Sequence, residues 1–182
     1  NTIIGEVSPV ETDYEYQSIR WMVENVAGFN PEIASGSLVS GGTSANHTAM
    51  TVARERLQAE GWDGRTPVKV FASQMAHYSI SKSARLLAPG GLIEVDKVPL
   101  EPGGYRLDPK ELEKRVNEAR QNGQPIMGIV AVAGETETGL VDDLDAIAEI
   151  ADSNGVYLHI DGAYGAPYRM SKAGKAFEAV SR

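Results

Sequence analysis

An apolar run, Tyr157-Leu158-His159-Ile160, leads straight into Asp161-Gly162-Ala163-Tyr164-Gly165. A carboxylate at the end of a buried strand is costly unless a cation or several donors sit against it. The neighbouring sequence offers no Lys or Arg with an obvious claim on Asp161. A protonated ring nitrogen of a bound cofactor would satisfy it; backbone N–H groups at the strand end are the plainer alternative.

Other reactive residues follow other apolar runs. Gly41-Gly42-Thr43-Ser44-Ala45-Asn46 forms a turn into a helix start, where free N–H groups, two hydroxyls and the helix dipole suit an anion such as phosphate. Capping of the helix by Thr43 or Ser44 accounts for the same string. The turn lacks the Lys of a Walker loop and the spacing of a dinucleotide fingerprint. His77 stands in Ala76-His77-Tyr78-Ser79, where its imidazole is either structural or stacked on a flat ligand. His47 reads as a surface residue and His159 as a packed one, and their scatter gives little support for a metal. Asp142, Asp143 and Asp145 read as compensation of a helix dipole.

These residues need a scaffold of alternating elements. Ile19, Met22, Val23 and Val26 mark a helix over residues 11–27. A short strand at 37–40 enters a helix over 43–60, with Ala45, Ala49, Val52 and Leu57 inward. Strands are expected at 68–72, 92–98, 126–133 and 156–160, and helices at 75–87, from Asp108-Pro109 to about 121, and from Asp142 to Asn154-Gly155. Continuous apolar strands alternating with helices predict an α/β fold: a three-layer, mostly parallel sheet covered on both sides. Such sheets bind ligands at strand carboxyl ends, where Gly41–Ser44, His77, Thr136 and Asp161 all fall.

Bulk properties narrow the function. The chain has 182 residues, enough for one α/β core, and its formal charge of −8 argues against nucleic-acid binding. It has no cysteine, so no disulfide framework, which fits a reducing, cytoplasmic setting. No run reaches the roughly 18 apolar residues of a membrane span.

Taken together, SGGTSAN at 40–46, AHYS at 76–79, AGETETG at 133–139 and HIDGAYG at 159–165 resemble the group II pyridoxal-phosphate-dependent amino acid decarboxylases, the glutamate, tyrosine and aromatic amino acid decarboxylase family. Order and spacing fit over nearly the whole chain, and Ser8-Pro9 is similar to that family's early segment. The resemblance implies the large domain of a fold-type I enzyme and pyridoxal 5'-phosphate as cofactor. It implies that Gly42, Thr43 and Ser44 cradle the phosphate, that His77 stacks on the ring with Ala163 on its other face, that Thr136 lies beside the 3'-oxygen, and that Asp161 bonds the ring nitrogen. His77 and Asp161 would be the catalytic residues.

Two positions depart from the family pattern. Glu135 stands where Thr is common, putting a negative charge near the site with an influence on substrate choice, and Gly162 stands where Ala is common. The Schiff-base lysine of a His-Lys pair has no match here; Lys172 and Lys175 read as solvated helix residues. The resemblance therefore implies that residues 1–182 are part of the cofactor-binding large domain, ending before that lysine, without flanking segments or the C-terminal small domain. The implied reaction converts an L-amino acid to an amine and carbon dioxide, with a lean to aromatic side chains from the AHYS context. A homodimer is implied, or pairing with a separate chain that carries the lysine. Another fold-type I lyase or aminotransferase, or a non-catalytic scaffold, remains the alternative.

Overall fold

The computed structural model describes residues 8–88, 90–172 and 174–181. It begins with α1 (Pro9–Met22), which passes into a π-helical turn at Val23–Ala27. There follow α2 (Gly42–Ala59), β1 (Val68–Ser73), α3 (Ser79–Leu87), β2 (Ile93–Val98), α4 (Pro109–Gln121), β3 (Ile126–Val132), α5 (Leu144–Ser153) and β4 (Leu158–Asp161). Two 3₁₀ segments, Ala166–Met170 and Gly174–Ser181, come last. No helix among the described residues is long and apolar enough to cross a membrane.

The four strands pair in parallel in the order β2-β1-β3-β4. Both faces are covered, so the expected three layers are present. Val68, Val70 and Ala72 of β1 join Met50, Ala53, Ile80 and Ala84 beneath α2 and α3. Phe71 points the other way, to Leu112 and Val116 of α4 and Leu144 and Ile147 of α5. In β3, Ile126 and Met127 face opposite sides, as do Ile129 and Val130, although strict alternation would put Met127 and Ile129 together. A register shift against Lys69 and Val70 inserts one extra residue and resets the alternation.

Four sequence expectations change. Residues 37–40 form no strand: Leu38 and Val39 are exposed, and the segment has no pairing partner among the described residues. The buried face of α2 is Asn46, Met50 and Ala53 with Leu57 partly covered, whereas Ala45 and Val52 face solvent. The apolar stripe in the sequence lies one residue out of phase with this face because the leading buried position holds a polar amide. The helix expected from residue 75 begins at Ser79, since residues 74–76 form the turn that carries His77. Asp143 caps α5 by accepting from Ala146 N–H, as expected of a helix start. Asp142 does not serve the dipole. Only 7% exposed, it accepts from Leu107 N–H at 2.9 Å and Val132 N–H at 2.8 Å, stapling the segment before α4 to the end of β3. Burial pushes its carboxyl above the usual range, partly offset by those two bonds.

Candidate active site

Parallel pairing puts all four strand ends at one edge of the sheet. β2 lies to one side of β1, whereas β3 and β4 extend from the other, so the crevice at the switch point opens between β1 and β3. A cavity of about 790 Å³ lies there. Gln74, Met75 and His77 line it from the loop after β1, Val132 and residues 134–137 from the end of β3, and Asp161, Ala163 and Tyr164 from the end of β4. The amino terminus of α2 closes it with Gly42, Thr43 and Asn46.

The loops meet because glycine lets them. Gly134 has φ +92°, and a β-carbon there would fall 2.6 Å from the Gly165 Cα. One on Gly165 would strike the Ala133 carbonyl oxygen. Two bare backbones thus press together, holding the loop after β3 against the segment that follows Asp161.

Of the residues expected from the sequence, Gly42, Thr43, His77, Thr136, Asp161 and Ala163 line this one cavity. Ser44 stands behind it, its hydroxyl bonded to that of Ser40 at 3.0 Å. Gly41 is the N-cap of α2 and no side chain caps the helix, so neither Thr43 nor Ser44 plays the simple capping role. The first bond of the helix runs from Ala45 N–H to the Gly41 carbonyl at 3.0 Å, leaving the N–H groups of Gly42, Thr43 and Ser44 without helical acceptors. An uncapped amino terminus of an 18-residue helix facing a cavity is a place for an anion.

Asp161 faces the same space. Its Oδ2 accepts from Asn46 Nδ2 at 2.8 Å and its Oδ1 from Ala163 N–H at 3.2 Å. Ion pairs among the described residues form elsewhere, around Asp96 and Glu111 and on the surface. His77 is exposed toward the cavity and anchored from behind: Ser79 Oγ lies 2.7 Å from Nδ1, and Ser79 N–H donates to the same nitrogen at 3.3 Å. Its ring also meets that of Tyr78, with centroids 4.3 Å apart. His159 is packed behind the site, its Nε2 2.8 Å from Asn46 Oδ1. Burial pushes this imidazole below its ordinary value, against the pull of the Asp161 charge.

Glu135 lines the cavity, as its expected place near the site requires, and its carboxylate is also bound into its own loop. Its Oε2 is taken up by the N–H groups of Glu137 and Thr138, at 2.9 and 2.8 Å, and by the Thr138 hydroxyl at 3.0 Å. Burial alone would raise its carboxyl, but these loop donors prevail and hold it below the usual range. It shapes the loop that presents Thr136. Two further members of the site, Asn46 and Ser79, lie inside the SGGTSAN and AHYS motifs, where the sequence alone gives them no role. A polar residue in phase with Met50 and Ala53 is the signal that points to Asn46.

Residues 1–177 match the family model described as the pyridoxal-dependent decarboxylase conserved domain. An aromatic-L-amino-acid decarboxylase from Bacillus atrophaeus is 34% identical over 163 residues, 89% of this chain and 32% of that protein. An acidic amino acid decarboxylase from Bos taurus is 33% identical over 175 residues, 92% of this chain and 32% of the other. Among solved structures, the glutamate decarboxylase domain of a Vibrio parahaemolyticus diaminobutyrate-pyruvate transaminase and L-2,4-diaminobutyrate decarboxylase aligns with a TM-score of 0.86. That match covers 98% of this chain and 40% of the other at 25% identity. The chain spans about a third of the length of these curated relatives.

Proposed function

Because the chain belongs to the pyridoxal-dependent decarboxylase family, we propose that the protein containing it converts an L-amino acid to the corresponding amine and carbon dioxide with pyridoxal 5'-phosphate. One observation carries this reading: the uncapped amino terminus of α2, the Asp161 carboxylate and the His77 imidazole converge on a single cavity. The residues present fit the cofactor, offering an anion cradle, a carboxylate and a flat ring around one space.

Gly42 and Thr43 would hold the phosphate with their backbone N–H groups and the Thr43 hydroxyl, with the Ser44 N–H completing the turn. Asp161 would accept a hydrogen bond from the pyridine nitrogen of the bound cofactor; a bond to an ionised carboxylate is roughly twice as strong as a neutral one, which would favour the protonated ring. His77 and Ala163 would hold the ring between them, and Thr136 would be available to its 3'-oxygen. When bound, the cofactor supplies the electron sink for the electron pair left on the α-carbon as carbon dioxide departs. The same reading makes the protein a homodimer, since Val10, Tyr14, Tyr16 and Trp21 expose apolar area along α1 of the kind a second subunit covers.

The test uses the full-length protein that contains this chain, loaded with pyridoxal 5'-phosphate and offered L-tyrosine, L-glutamate and L-2,4-diaminobutyrate. Release of carbon dioxide and amine from one of them is expected. Asp161→Asn should lower kcat by on the order of 100-fold, the scale of losing one preorganised charge-stabilising contact. Formation of an oxo acid without carbon dioxide would overturn decarboxylation in favour of amino-group transfer.

A further inference from the structure

Asn46 is part of the cavity wall at only 3% exposure, and three neighbours converge on its carboxamide. Its Nδ2 donates to Asp161 Oδ2 at 2.8 Å and to Ser79 Oγ at 2.9 Å, while its Oδ1 faces His159 Nε2 at 2.8 Å. The amide admits only this orientation, because turning it over would set Oδ1 against a carboxylate oxygen. His159 must then carry its proton on Nε2 to give Oδ1 a donor, in keeping with a buried neutral ring.

The second arm of the network also has a fixed sense. Ser79 Oγ accepts a hydrogen bond from Asn46 and has its own O–H to donate, and the acceptor 2.7 Å away is His77 Nδ1. Ser79 N–H points at the same nitrogen. Two donors aimed at Nδ1 leave no room for a proton there, so the neutral ring of His77 holds its proton on Nε2 and presents an N–H donor outward. We propose that Asn46 is a positioning residue that locks Asp161 and His77 into one geometry and, through Ser79, fixes the His77 tautomer; this rests on the cofactor site proposed above. Both polar atoms of the Asn46 carboxamide are taken up by Asp161, Ser79 and His159, so its part is to orient those side chains. It sets the carboxylate that bonds the ring nitrogen and the imidazole that covers the ring from a single rigid amide.

The experiment again uses the full-length protein, with pyridoxal 5'-phosphate as the probe. Asn46→Ala should raise the cofactor Kd about tenfold, the equivalent of about one lost hydrogen bond to a charged group. It should also change the absorbance spectrum of the bound cofactor and reduce kcat more than it changes KM. Ser79→Ala removes one hydroxyl and leaves the Asn46–Asp161 bond, so it should lower kcat while keeping the cofactor Kd within about twofold of wild type. Should Asn46→Ala fail to fold, the His77 tautomer decides, read from imidazole ¹⁵N shifts in histidine-labelled protein and assigned with His77→Gln. Unprotonated Nδ1 in wild type, becoming a mixture in Ser79→Ala, supports the proposal. A wild-type ring with its proton on Nδ1 overturns it, as does Asn46→Ala with unchanged cofactor affinity and spectrum. Failure of the wild-type protein to bind the cofactor would count against the proposed function, whereas the tautomer measurement tests the network independently of it.

Discussion

Gly162→Ala tests how tightly the segment after Asp161 is built. Gly162 lies outside the left-handed region, so its backbone admits alanine, and the obstacle is purely steric. A β-carbon there would stand 2.7 Å from the Ala166 Cβ, with Ala166 N and Cα at 3.5 and 3.6 Å. The obstructing methyl cannot rotate aside: it belongs to the first residue of the segment Ala166–Met170, whose N–H donates to the Gly162 carbonyl at 2.9 Å. Ordinary contact begins at 3.4 Å, so one backbone or the other must shift by about 0.7 Å. Overpacking of this kind costs about 1–3 kcal/mol. The shift falls next to Asp161, and because displacements of about 1 Å at a reacting centre reduce rates up to ~100-fold, weaker cofactor binding should accompany the lost stability. Ala166→Gly opens the same space at a backbone cost of roughly 0.5–1 kcal/mol. The double variant should therefore be more stable than the two single effects added, with a coupling of about 1–2 kcal/mol. Denaturant unfolding and cofactor titration of all four proteins would measure it. A Gly162→Ala protein as stable as wild type, or strict additivity in the cycle, would refute the argument. The same contact explains why Gly stands where the resemblance leads one to expect Ala: Ala166 takes the room.

Two further substitutions probe the buried carboxylates around the site. Asp142→Asn keeps an acceptor for one of the Leu107 and Val132 N–H groups and sets an amide against the other, a loss of about 1–3 kcal/mol. Because the folded-state carboxyl of Asp142 is raised, its contribution is complete below the usual aspartate range and declines as pH climbs through the raised value. The stability gap between wild type and variant should therefore narrow with rising pH in unfolding curves, and a gap that widens would contradict a buried, desolvated acid. Glu135→Gln retains an oxygen for the loop donors but removes the charge, for a loss of about 1 kcal/mol at neutral pH. Here the folded-state carboxyl is lowered, so its stabilisation holds above the usual glutamate range and disappears as pH falls through the lowered value. Wild type and variant should converge on acidification, and a difference independent of pH would show that the loop does not rely on the ionised form.

The sequence by itself determined the layered parallel sheet and the residues at its working edge. Apolar runs such as residues 126–132 are local patterns, and parallel pairing brings every strand end to the same side. A reactive residue just beyond such a run thus has its place before the tertiary contacts are known, which is why His77, Thr136 and Asp161 are legible. Only the tertiary structure decided what those residues rest on. Asn46 bonds a partner 33 residues away at Ser79 and another 115 away at Asp161. Asp142 reaches Leu107 across 35 residues, and Glu135 folds back onto its own loop. A polar side chain in a one-dimensional pattern reads as solvated, and the acceptor or donor that makes its burial tolerable becomes visible when distant segments pack. The phase of α2 and the unpaired path of residues 37–40 escape the sequence for that same reason: each depends on what lies across the core rather than along the chain.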